Sequence, residues 1–120
     1  MNKPDISNLS AYYTNELIIK STVIQLRKDL ELDESELSID KLNGSLFETL
    51  VKQIKVVIDD LLSRSFEQFS QCMYRVDISQ KQLEKCMHEG NYNSTLIAEM
   101  VVKRCLQKVV IKEWYKKHTD

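Results

Sequence analysis

An all-α fold, an antiparallel helical bundle of three long helices and one short helix, is predicted by three features of the sequence. Only two glycines and one proline occur in 120 residues, too few turn residues for a β-sandwich or an α/β fold. Apolar residues recur at three- and four-residue steps over long stretches, the period of an amphipathic helix. Two Ser-x-x-Glu/Gln patterns, Ser45 with Glu48 and Ser79 with Gln82, stand where apolar runs begin, as capping boxes do. One domain is expected at this length, with residues 1–9 a flexible leader.

The first helix is expected from about residue 11 to 31. Tyr12, Ile19, Val23, Leu26 and Leu30 fall on one face, with Tyr13, Leu17 and Ile24 as a second apolar flank. Ile18 points away from both rows, which predicts cover on more than one side. Residues 29–40, "DLELDESELSID", hold six acidic residues and no basic one. The periodicity fails there, and Asn43-Gly44 follows as a turn signal. Residues 32–44 are therefore expected to form an acidic connection, long for a helix pair.

The second helix has the clearest stripe. After the Ser45/Glu48 box, Leu46, Phe47, Leu50, Val51, Ile54, Val57, Ile58, Leu61 and Leu62 keep one face apolar, and Phe66, Phe69 and Met73 continue it. One helix from residue 46 to 74 would be about 43 Å long. The serines of "SRS", residues 63–65, are the expected bend. The third, short helix starts at the Ser79/Gln82 box, with Ile78 and Leu83 placed as a hydrophobic staple. It is expected to end near Glu89, where Gly90 tolerates a left-handed cap. The fourth begins after Asn93 or Ser94 and runs to about Lys117.

"MYRVDISQKQL" and "IAEMVVKRCLQKV" resemble patterns of small uncharacterised helical proteins of bacteria, over about the last half of the chain. That resemblance implies no activity and no site.

The formal charge of −1 speaks against a globally basic nucleic-acid binder. The halves differ: residues 1–60 carry −4 and residues 61–120 carry +3. Cys72, Cys86 and Cys105 are an odd set without CxxC spacing, which suits free thiols in a reducing compartment. The opening "MNKPDISNLS" has no hydrophobic signal region, and no run approaches the roughly 18 apolar residues of a membrane span. A cytoplasmic protein without a membrane partner is expected.

Candidate chemistry is sparse. The three cysteines lie among apolar residues without a paired base, so buried, inert thiols are expected. Cys86 and His88, two apart, would point to opposite sides of a helix, and a zinc site needs four converging ligands. Asp59 and Asp60 are adjacent and diverge. No Glu-x-x-His pair for a di-iron bundle and no phosphate-cradling glycine loop occur. No catalytic residue, metal or cofactor is assigned, and the chain is not read as an enzyme.

The feature with most weight is a basic row near the C-terminus. Arg104, Lys108, Lys112 and Lys116 are spaced by four, and Trp114 and Tyr115 lie among them, residue types that bind phosphates and stack bases. Cations also favour a helix C-terminus in their own right. On a helical wheel Val102, Cys105, Leu106, Val109 and Val110 form one apolar arc. Ile97, Met100, Val101, Ile111 and Tyr115 form a nearly opposite one, with Arg104 and Lys108 inside it. A helix apolar on both sides is central in its domain or half covered by another chain. Arg104 and Lys108 are therefore expected to be partly buried and paired with carboxylates, which residues 29–40 could supply, while Lys112 and Lys116 are solvated.

The leading expectation is a non-catalytic interaction or scaffold protein, a homodimer joined through helix surfaces, the fourth helix, the second or both. Next comes a small regulator that binds an acidic partner or nucleic acid through the basic helix. An enzyme or small-molecule binder comes third.

Overall fold

Five α-helices and one small hairpin follow the local capping signals closely, and the apolar stripes then decide how the helices pack. The computed structural model describes residues 8–38 and 45–118. A 3-10 turn, Leu9–Tyr12, precedes α1, Glu16–Leu30. The carboxamide of Asn15 accepts from the Ile18 amide and starts α1, five residues later than the periodicity suggests. Leu9, which the expected leader of residues 1–9 includes, is buried against Leu106 and Val110. Residues 1–7 lie outside the described residues. Ile18 packs on that same cluster, which gives α1 cover on a second side. Of the expected second flank, Tyr13 is half-buried and stacks on Phe47 at 4.0 Å, whereas Leu17 and Ile24 are exposed: none of the described elements covers them.

After α1 the acidic connection is locally ordered through Ser38. Asp33 accepts hydrogen bonds from the Ser35 amide and hydroxyl and from the Glu36 amide, and these hold its carboxyl below the usual range. Leu37 is fully buried, and the Arg27 guanidinium donates to its carbonyl. The Asn43-Gly44 turn signal lies outside the described residues.

The expected second helix is two. Ser65 has extended backbone, φ −159° and ψ 106°, and separates α2, Leu46–Arg64, from α3, Phe66–Val76. Its amide closes α2 on the Leu61 carbonyl, and its hydroxyl accepts from the Gln68 amide to cap α3. One serine thus ends one helix and starts the next. Ser45 occupies the N-cap of α2, but its side chain makes no capping hydrogen bond; nothing in the structure explains that difference from expectation.

The Ser79/Gln82 capping box forms in full and opens α4, Gln80–Glu84, with the staple residues Ile78 and Leu83 both buried. The helix stops earlier than expected because Met87–His88 (β1) pairs antiparallel with Asn91–Tyr92 (β2). Gly90 is not a helix cap. It shares the hairpin turn with Glu89, at φ 81° and 51°, the positive pair that a type I′ turn requires.

The last helix, α5, runs from Ser94 to His118, and Asn93 caps it through the Leu96 amide. Its 25 residues span about 37 Å at 1.5 Å per residue. It packs on α2, α1 and α3. Over Ile97–Val110 both of its faces contribute buried residues, Ile97 and Val101 on one and Val102, Cys105, Leu106, Val109 and Val110 on the other, with Met100 half-buried. This makes α5 the central helix of the bundle. The main core joins Leu26, Leu50, Ile54, Phe69, Ile97 and Val101 from four helices. No helix of the described residues is long and apolar enough to cross a membrane.

Candidate functional site

Two surfaces bear on function: the basic row of α5 and a groove beside α2. In the row, position along the helix decides the environment of each cation. Lys108 is 22 % exposed and Asp29 only 7 %, and they meet at 2.8 Å. Lys108 also donates to the Arg75 carbonyl at 2.8 Å. Asp29 accepts from Gln25, and the Arg75 guanidinium donates to the Asp29 carbonyl at 2.7 Å. A carboxylate near the C-terminus of α1 opposes the helix dipole; buried there, it needs the ammonium that α5 supplies. Side chains of α1, α3 and α5 are thereby tied into one polar cluster inside an apolar core.

Arg104 is also engaged, but by a different acid from the one expected. It donates to Asp77 at 2.6 Å and to Gln107 at 3.3 Å. Asp77 lies outside residues 29–40: it is the C-cap of α3, in left-handed conformation. The Arg104 hydrogen bond and charge hold the Asp77 carboxyl below the usual range.

Lys112 is exposed, and Lys116, 66 % exposed, reaches Glu113 on its own helix at 3.4 Å. Tyr115 is exposed and meets half-buried Trp114 edge-on at 5.0 Å, while His118 stacks on Trp114 at 4.2 Å. Among the other lysines of the segment, Lys112 stands about 180° from Lys103 and about 140° from Lys117 at 100° per residue. The structure therefore divides the six sequence candidates. Arg104 and Lys108 are spent on internal carboxylates. Lys112, Tyr115 and Lys116, by contrast, share one exposed face of the last turns, at i, i+3 and i+4, and half-buried Trp114 stands apart from it.

The different environments give an unequal mutational response. Arg104→Glu should cost more than about 1 kcal/mol, because it sets a carboxylate against Asp77 at a partly buried position. Lys116→Glu should stay within about 0.5 kcal/mol, as solvated sites do. Urea unfolding of both proteins checks this, and equal small effects would mean that Arg104 contributes no more than a surface residue.

Cys105 looks at first like an activated thiol, since its Sγ lies 3.6 Å from Asp29 and Lys108 is beside it. Its chemistry is the opposite. Burial, and then the Asp29 charge, push the thiol up to about 12, so it is protonated at neutral pH and closed to solvent. Burial also raises the Cys72 and Cys86 thiols. Cys86 is buried while His88 is exposed, so that pair does not converge. No group of three or more His, Cys, Asp or Glu side chains placed to hold a metal occurs among the described residues.

The second surface is one that the sequence reading does not single out. A groove of about 610 Å³ runs between α2 and the segment after α1, lined by Leu32, Glu36, Lys52, Gln53, Val56 and Asp60 among others. Val56 is 67 % exposed. Gln53 lines the groove, and its buried amide nitrogen has no hydrogen-bond partner among the described residues. One sequence signal is available: Val56 is an apolar residue about 160° from Ile54 on the wheel, opposite the core stripe. The other wall, Leu32 and Glu36, comes from a stretch whose position depends on the anchor at Leu37, which no local pattern announces.

Comparison with family models, with characterised proteins and with solved structures finds no match.

Proposed function

We propose that this protein is a non-catalytic interaction or scaffold protein that self-associates through a helix surface, the outer face of α2. The observation that carries this reading is the groove beside α2, with Val56 exposed among its lining residues. Val56, with Leu32 and Val57 beside it in a groove otherwise rimmed by charged and polar side chains, leaves hydrophobic area for a partner to remove from water. On α5, by contrast, the Val102–Val110 arc is buried by the chain itself and the opposite arc is buried at Ile97 and Val101, half-buried at Met100 and Ile111 and open only at Tyr115, which favours a seam on α2. A regulator reading through the basic helix has weaker support, because Arg104 and Lys108 already hold internal carboxylates and are not available to phosphates.

Sedimentation equilibrium over about 1 µM to about 1 mM tests the reading, a span that detects dissociation constants down to weak transient contacts. The expected result is a mass rising from one chain to two across the series. A single-chain mass at every concentration would remove self-association as the function.

A further inference from the structure

Resting on that reading, we infer that the occupant of the α2 face is α2 of a second copy, packed antiparallel about Val56, with Lys52 of each subunit against Asp60 of the other.

The inference comes from one row of α2. Glu48, Lys52, Val56, Asp60 and Arg64 follow one another at four-residue steps, so they form a single ridge on the helix surface. Val56 is its midpoint and lies on the solvent side. The charges read negative, positive, neutral, negative, positive. Reversed about Val56, each sign becomes its opposite. Laid antiparallel on a copy of itself, such a ridge sets opposite signs across from one another. Each four-residue step turns about 40°, so Lys52 and Asp60 stay close enough to Val56 to face the partner's Asp60 and the partner's Lys52 where Val56 meets the partner's Val56. Glu48 and Arg64, about 80° round the helix, add only longer-range attraction at the rim.

Helix packing supplies the geometry. When the four-residue ridges of two helices interdigitate, the ridges run side by side, the commonest packing class in globular proteins. Two-fold symmetry then makes each contact occur twice, as an isologous interface requires. Inside the monomer the row is only partly committed. Asp60 meets Arg64 at 3.0 Å, with both side chains more than half exposed, and such a pair is weak and readily shared. Lys52 and Glu48 are exposed. Half-buried Leu32 and Val57 lie beside Val56 along the groove and supply apolar area next to the charges. A second copy fits this row better than an unrelated acidic or basic helix, since a partner of one sign would meet its own sign at half of the charged positions.

The test exchanges charges between chains. Lys52→Glu alone sets two acids together twice per dimer, and Asp60→Lys alone sets two cations together twice. Each single variant should self-associate about tenfold or more weakly than the parent, as like charges across a seam require. An equimolar mixture of the two variants opposes an acid to a cation at both contacts, and should recover the parent's association as a mixed dimer. The doubly exchanged chain, Lys52→Glu with Asp60→Lys, should also pair with itself. Sedimentation equilibrium reads the masses, and native mass spectrometry of one isotope-labelled variant identifies the mixed dimer.

Single variants that dimerise like the parent would overturn the seam, as would single variants whose loss is not recovered on mixing. Dimers dispersed by Ile24→Glu but not by Val56→Glu would move the seam to the exposed flank of α1, keeping self-association and removing this interface. A parent protein that is monomeric throughout would overturn both readings, and would reduce the charge row to pairing within one helix.

Discussion

Phe69→Ala is expected to lower the unfolding free energy by about 3–5 kcal/mol, the range for deleting a buried aromatic ring. Phe69 is fully buried and occupies the first turn of α3, just after the break at Ser65. Its ring lies 5.7 Å from that of Phe66 and 5.8 Å from that of Tyr92. It therefore joins α3, the hairpin and the main core, and alanine would leave a void that three elements cannot close together. Equilibrium unfolding in urea, at one fixed protein concentration so that association does not enter, measures the loss. A change below about 1 kcal/mol would show that the site collapses freely around alanine.

Asp29→Ala is the second large effect, expected at about 3 kcal/mol, the lower end for breaking a buried ion pair because Lys108 keeps some water. The substitution removes the carboxylate and leaves the ammonium, among the described residues, with the Arg75 carbonyl as its remaining hydrogen-bond partner. A companion variant separates the cost of an orphaned charge from that of lost packing. Asp29→Leu combined with Lys108→Met removes both charges, and well-packed apolar replacements of buried pairs are commonly neutral or stabilising. The double variant should therefore regain most of the stability lost in Asp29→Ala. If the two proteins are equally destabilised, the penalty comes from shape and hydrogen bonding around α1, α3 and α5, and the ion pair is not its source.

These two sites differ in how far the sequence exposes them. Phe69 lies on the continuation of the α2 stripe, and its burial follows from the period of apolar residues. Asp29 reads as one acid among six in residues 29–40, with nothing local to single it out. Arg104 and Lys108 stand inside an apolar arc on the wheel, which implies partners without identifying them. One partner is Asp29; the other, Asp77, is a helix cap in a different part of the chain. For the groove, Val56 and the antisymmetric row from Glu48 to Arg64 are visible on one helix, whereas Leu32 becomes a wall only through the burial of Leu37.

By itself, the sequence determined the helical class, the capping box at Ser79 and Gln82, the extent of α5, and the apolar stripe of α2. These depend on residues within about four positions of one another, where side-chain spacing and backbone hydrogen bonding are coupled directly. The serines of residues 63–65 announced a bend, but tertiary structure decided that it would become a full break at Ser65, that Glu89 and Gly90 would turn a hairpin, and that Leu17 and Ile24 would stay in water. It also decided that Lys108 would meet an acid 79 residues away. Each of those outcomes depends on which elements arrive to cover a surface. That choice is made by burial of the whole apolar area at once, a sum over the packed chain that no local window contains.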